Sequence, residues 1–193
     1  MLNGWIILDK PTGMTSAHAV NKVKRYVKPA KIGHAGTLDP LASGVLPLAI
    51  GEATKTIHYM MDAAKSYAFT VSWGEKRDTD DREGKVIAQS DKRPGLDEIK
   101  AILPRFIGEI EQMPPQFSAL KIDGERAYDL AREGKVAELK ARRVRVDSLI
   151  ITPLPNPPPQ GGRELATTFL CHCGKGTYIR SIARDLGDIL GCF

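Results

Sequence analysis

No apolar run in this chain approaches the ~20 residues that a membrane-crossing helix needs, so a membrane-spanning protein is not expected. The opening residues, Met1-Leu2-Asn3-Gly4-Trp5, lack the basic start and long apolar stretch of a secretory leader. Cysteine is scarce: three among 193 residues, an odd number. That argues against a disulfide framework and suits a reducing compartment, so the cytoplasm is the expected location. Metal-ligand spacing is also missing. Cys171-His172-Cys173 has no second cysteine or histidine pair at zinc spacing. On a strand its two thiols share one face and read as buried apolar groups. The acidic run Asp78-Thr79-Asp80-Asp81-Arg82-Glu83-Gly84 misses the calcium-loop pattern at Arg82 and Gly84, and reads as a solvated loop. Gly174-Lys175-Gly176 lacks the third glycine of a dinucleotide fingerprint, and there is no Walker loop. No metal and no organic cofactor are expected. Internal repeats are absent.

What the chain does have is an ordinary globular composition, with 42% hydrophobic and 26% charged residues. Its length suffices for one substantial core. The net charge of +5 is unevenly spread. Lys22, Lys24, Arg25, Lys28 and Lys31 fall within ten residues, and Lys140, Arg142, Arg143 and Arg145 form a second cluster. Such patches either face solvent or meet a phosphate backbone, where counterion release rewards them.

Periodicity predicts mixed α and β structure. Strands are expected at Trp5–Leu8, Val45–Ile50, Tyr67–Trp73, Phe117–Ile122, Val144–Ile151 and Leu165–Cys173. Pro47 implies that the second of these is an edge or irregular. Helices are expected from Thr15 or Ser16 to about Tyr26, at Ala53–Met61, Leu96–Phe106 and Ala127–Arg132, and from Thr177 to Leu190. A tight turn is expected at Asp123-Gly124. The order is no regular βαβ alternation, so an α+β fold is expected, with a mixed, largely antiparallel sheet flanked by helices. Residues 153–162, with five prolines and two glycines, read as a loop insert between two strands.

The segment from Gly33 to Gly44, GHAGTLDPLASG, has neither helical nor strand period. Three glycines bend it, Pro40 stiffens it, and it carries one carboxylate, Asp39, five residues after His34. By itself the pattern fits a capped turn as well as a reactive loop. The first basic cluster stands immediately before it. Two other stretches bear on this acid. Gly176-Thr177-Tyr178-Ile179-Arg180-Ser181 opens the last helix, with Thr177 as cap, and an arginine in its first turn could pair with a loop carboxylate and keep it ionised. Arg184 and Asp185 read as local surface pairs. Lys65-Ser66-Tyr67 leads a strand, where a tyrosine either packs in the core or offers a flat face to a base.

Taken in order, Asp9-Lys10-Pro11-Thr12-Gly13-Met14-Thr15-Ser16, the loop at residues 33–44, Lys65-Ser66-Tyr67, Phe117-Ser118-Ala119-Leu120-Lys121 and the stretch at residues 176–181 resemble the TruB family of tRNA pseudouridine synthases. The resemblance runs from about residue 3 to 190. It implies the pseudouridine synthase catalytic fold and isomerisation of uridine 55 in the tRNA T-loop. It further implies that Asp39 is the catalytic aspartate, that Tyr67 stacks on the extruded uracil, and that Arg180 holds Asp39. Tyr178 would line the pocket, and His34 would displace the target within the T-loop. Lys10, Lys22, Lys24 and Arg25 are candidate phosphate contacts. The expected partner is tRNA, through its T-loop and T-stem, and a monomer is expected. Relatives continue through the rest of the catalytic domain and into a PUA domain, so residues 1–193 read as a catalytic domain incomplete at its carboxy terminus. The alternative reading is a catalytically impaired tRNA-binding or tRNA-chaperone remnant.

Overall fold

The computed structural model describes residues 2–118, 120–122, 125–127, 138–152 and 165–193. The insert at residues 153–162, the turn at Asp123-Gly124 and all but the first residue of the helix expected over 127–132 lie outside them. The chain forms two compact units, Met1–Ala63 and Ala64–Phe193. All strand pairs are antiparallel among the described residues. The class is α+β.

In the first unit, β1 (Gly4–Lys10), β2 (Ile32–His34) and β3 (Gly44–Ile50) pair in the order β1-β3-β2. Strand alternation turns Ile6 and Leu8 inward to Leu46 and Leu48 and leaves Trp5, Ile7 and Asp9 outside. Helix α1 (Ser16–Val27) packs Ala19, Val20 and Val23 on the same core. Thr15 caps it, its hydroxyl accepting from the His18 N–H at 3.1 Å. The helix ends at Lys28, in the left-handed region at φ 46°, with Pro29 next. Pro47 lies in the central strand and not at an edge. Its carbonyl accepts from Ala35 N–H at 2.9 Å, but it has no N–H to return, and the β2 ladder stops there. A 3₁₀ turn (Gly51–Thr56) then leads into α2 (Ile57–Asp62).

The second unit centres on a four-stranded sheet of β4 (Lys65–Ser72), β7 (Gly108–Gln112), β10 (Arg142–Thr152) and β11 (Ala166–Cys173), ordered β4-β11-β10-β7. A hairpin of β5 (Glu75–Arg77) and β6 (Val86–Gln89) and a two-residue pair, β8 (Lys121–Ile122) with β9 (Glu125–Arg126), complete it. Helix α3 (Leu96–Ile102), continued by a 3₁₀ turn to Phe106, and the last helix, α4 (Ile179–Leu190), cover its core. Ile182, Leu186 and Leu190 stand four residues apart on one face of α4, all buried. Cys171 and Cys173 are fully buried in that core. The β5–β6 hairpin and β7 are strands that the sequence does not announce. Glu75-Lys76-Arg77 carries no apolar residue, and β7 has only Ile110, so neither shows alternation. Of the strand expected over 117–122, only Lys121 and Ile122 pair among the described residues, which leave out Ala119. Among the described residues, no helix is long and apolar enough to cross a membrane.

Phe169 is the centre of the larger core: fully buried, stacked on its cross-strand partner Phe69 at 5.4 Å and edge-on to Trp73 at 6.4 Å. Phe169→Ala is expected to destabilise the second unit by about 3–5 kcal/mol. Urea unfolding followed by Trp73 fluorescence measures it, and a loss below about 1 kcal/mol would contradict this packing.

Candidate active site

The loop around Asp39 is irregular backbone, so its polar groups need partners from outside any ladder. Three contacts supply them. Ser16, buried at the start of α1, donates its hydroxyl to Leu38 C=O at 3.0 Å and accepts from Leu38 N–H at 2.9 Å. Gly13 N–H donates to Pro40 C=O at 2.7 Å. Lys10, at the end of β1 and 0% exposed, donates its ammonium to Pro11, Met14 and Ala42 carbonyls at 2.9, 2.7 and 2.5 Å. Asp39 is thus pinned through the residue before it, the residue after it and Ala42, whose N–H also donates to Asp39 C=O at 3.0 Å. Gly36 and Gly44 take φ of 121° and 117°, backbone that only glycine adopts readily. His34, half-buried at the end of β2, donates from Nδ1 to the Gly36 carbonyl.

Lys10 departs from the phosphate contact expected of it. Its three N–H donors are spent on three carbonyls, and it has no exposed surface. Burial pushes its pKa below the usual lysine value, while the Asp39 carboxylate acts in the opposite sense. Lys10 therefore ties β1 to the loop and sets a positive charge within reach of the acid. The other basic candidates, Lys22, Lys24 and Arg25, are exposed on α1, as are Lys28 and Lys31 beyond it.

In the second unit, Tyr67 is half-buried on β4, opposite Cys171, and packs against the core. Tyr178, and not Thr177, is the cap residue of α4, and no side chain caps it. The Thr177 hydroxyl turns back to Gly174 C=O at 3.1 Å. Buried Gln112 fixes the cap residue itself by a double hydrogen bond, accepting from Tyr178 N–H at 2.8 Å and donating to Tyr178 C=O at 3.1 Å. Arg180 donates to Thr79 C=O at 2.9 Å and Phe117 C=O at 3.0 Å, and lies 3.8 Å from the Asp81 carboxylate.

The loop at residues 78–84 is only partly solvated: Arg82 and Glu83 are exposed, Asp78 to Asp81 are half-buried and Gly84 is buried. Asp81 faces Arg180, and Asp80 pairs with Arg184 at 3.0 Å with both side chains largely buried. Gly84 is required there, since a Cβ would stand 2.3 Å from Thr79 Oγ1 and 2.8 Å from Thr79 N. Arg184 likewise is no surface residue: besides Asp185 it holds Asp80 and the Met113 carbonyl. Among the described residues no group of His, Cys, Asp or Glu is placed to hold a metal ion.

Residues 24–179 match the family described as TruB family pseudouridylate synthase (N terminal domain). The chain belongs to the TruB family. The matched span includes Asp39, Tyr67 and Tyr178. Over 192 residues the chain is 56% identical to the tRNA pseudouridine synthase B of Brucella ovis, covering all of this chain and 57% of that protein. It is 54% identical to the protein of the same name from Rhodopseudomonas palustris, half of whose length it covers. The chain thus spans little more than half the length of these TruB relatives. Among solved structures, a chain of a Cbf5-Nop10-Gar1 complex superimposes with a TM-score of 0.69 at 30% identity, covering 98% of this chain and 45% of that one. A chain of an H/ACA RNP bound to a substrate RNA containing 2'-deoxyuridine gives 0.67 at 27% identity, over 98% of this chain and 43% of its own.

The structure groups His34, Asp39 and Lys10 in the first unit, and Tyr67, Tyr178 and Arg180 in the second. Sequence reasoning missed Ser16, Gln112 and the Asp80–Arg184 pair, whose partners lie 22, 66 and 104 residues away. Ser16→Ala leaves both polar groups of Leu38 without their side-chain partner. The expected loss is about 1–3 kcal/mol in urea unfolding, with faster amide exchange at residues 37–42. Unchanged exchange there would show that this serine does not hold the loop.

Proposed function

We propose that this chain carries the catalytic core of a tRNA pseudouridine-55 synthase and that Asp39 is its catalytic residue. The observation that supports this most directly is the pinned loop: a TruB-family chain spends a buried lysine and a buried serine on fixing the backbone around one carboxylate. The reaction is an isomerisation of a T-loop uridine. The N1–C1′ bond breaks, the uracil turns in place, C5 bonds to C1′, and the C5 proton leaves while N1 takes one up. Atoms and charge balance without a co-reactant. A carboxylate can serve by attacking C1′, by removing the C2′ proton or by attacking C6, and each route needs it ionised and aimed.

In this reading Arg180 keeps Asp39 ionised, Tyr67 stacks on the uracil, Tyr178 lines the pocket and His34 occupies the place of the extruded base. Extrusion costs a few kcal/mol, which contacts to the T-loop and T-stem offset. The exposed Lys22, Lys24 and Arg25 supply phosphate contacts from α1. The enzyme works as a monomer in the cytoplasm.

Tritium release from tRNA labelled at uridine C5 tests the chemistry. Asp39→Asn is expected to bind tRNA as the parent does and to release no tritium. Full turnover by this variant would refute the assignment; tRNA binding without release by the parent chain would favour the tRNA-binding reading. Salt tests the electrostatics. Binding should weaken by a slope of roughly 0.7–0.9 per phosphate contacted in a plot of log K against log salt, and Lys22→Ala with Arg25→Ala should flatten it. An unaltered slope would take α1 out of the interface.

A further inference from the structure

Two aspartate–arginine pairs stand side by side in the second unit. Arg180 and Arg184 are four residues apart, on one face of α4. Asp80 and Asp81 are neighbours on the loop that meets that face. The first pair, Asp81 with Arg180, belongs to the proposed uridine site. The second has no place in that chemistry, yet it is the tighter and the more enclosed: 3.0 Å against 3.8 Å, with the Asp80 side chain 10% and the Arg184 side chain 15% exposed.

The backbone explains what the second pair does. Asp80 sits at φ 57°, in the left-handed region that disfavours residues other than glycine. The residues on either side of it are both partners of Arg180. Thr79 offers its carbonyl to Arg180 Nη1 at 2.9 Å. Asp81 turns Oδ1 inward, accepting from Thr79 Oγ1 at 2.7 Å and Glu83 N–H at 3.0 Å, which leaves Oδ2 toward Arg180. Relaxing Asp80 out of its left-handed conformation would swing both partners away. Arg184 opposes that, and is itself fixed by Asp185 through Nε at 2.9 Å and Nη2 at 2.8 Å and by Met113 C=O at 2.9 Å. Burial raises the Asp80 pKa above the usual carboxylate value despite the pull of Arg184. A pair so desolvated adds little net stability, which suits a role in geometry.

We propose that Arg184 and Asp80 are positioning residues for Arg180: their ion pair locks the 78–84 loop in the strained shape that presents Thr79 and Asp81 to its guanidinium. The role in catalysis rests on the reading of Arg180 given above; the mechanical claim does not. Phe117 C=O, a further partner, comes from outside the loop, so losing the pair loosens Arg180 without releasing it altogether.

The test uses the chain labelled with ¹⁵N-arginine, the Arg180 side-chain signal being assigned with Arg180→Lys. Asp80→Asn keeps a residue that tolerates the left-handed region and removes the charge; Arg184→Met keeps the aliphatic stem. Each is expected to speed rotation of the Arg180 guanidinium and to raise amide exchange at residues 79–84 by roughly ten-fold. The double variant should do no more than either single one, because the two residues act as one unit. Arg184→Lys, the mildest change, should restore part of the restraint. In turnover, both single variants should slow tritium release from C5-labelled tRNA by about ten-fold or more at unchanged tRNA affinity. A folded Asp80→Asn or Arg184→Met variant with parental Arg180 dynamics would overturn the proposal, as would additive effects. Altered Arg180 dynamics with parental release rates would overturn its catalytic part. If the parent chain releases no tritium, the proposed function fails while the arginine signals still decide the mechanical claim.

Discussion

A loop with neither helical nor strand period has no ladder to satisfy its carbonyls, and the candidate site depends on how that demand is met. In the first unit the demand falls on Lys10. An ammonium with no exposed surface is costly to bury, and three carbonyls around it repay the lost hydration. The same contacts join the end of β1 and the segment that leads into α1 to Ala42, on the far side of the turn that carries Asp39. Remove that charge and three carbonyls lose their donor at once. The acid is held by its backbone, and Ser16 does for Leu38 what Lys10 does for Ala42.

The second unit applies the same physics with different residues. Gln112, at the end of β7, holds Tyr178 by both backbone groups; Ser181 holds Met113 at 2.8 Å; Arg180 and Arg184 gather carbonyls from Thr79, Phe117 and Met113. Each anchor sits on a regular element or its first turn, and each anchored group lies at an element's edge or in a loop. Regular elements hold irregular backbone in register through buried polar side chains. This is how loops become stiff enough to aim a reactive group.

Elements with a strong pattern were legible from the sequence. Thr15 before Ala19, Val20 and Val23 marked α1; the fourfold spacing of Ile182, Leu186 and Leu190 marked α4; β-branched and aromatic runs marked β4, β10 and β11. Weakly patterned elements were not: β5 is all charge, and β7 has one inward apolar residue. Pro47 suggested an edge because a missing N–H is usually hidden there, but it sits at the centre, where β2 happens to end. Of the site, the sequence pointed to Asp39, Tyr67, Tyr178 and Arg180 by motif. It gave the wrong environment for Lys10, read as a phosphate contact, and for Asp80, Asp81 and Arg184, read as solvated. A charged residue carries no local sign of a partner that is a hundred positions away.

The sequence by itself therefore determined the family, the α+β class and the position of the glycine-rich loop, because these rest on periodicity and on ordered motifs that short stretches carry complete. Tertiary structure alone decided which charges are buried and what they hold. Lys10 became a backbone clamp and Asp80 a strained hinge pin because folding brought carbonyls and guanidinium groups from distant segments within hydrogen-bond range. Burial and pairing are properties of that three-dimensional neighbourhood, so no reading of adjacent residues could assign them.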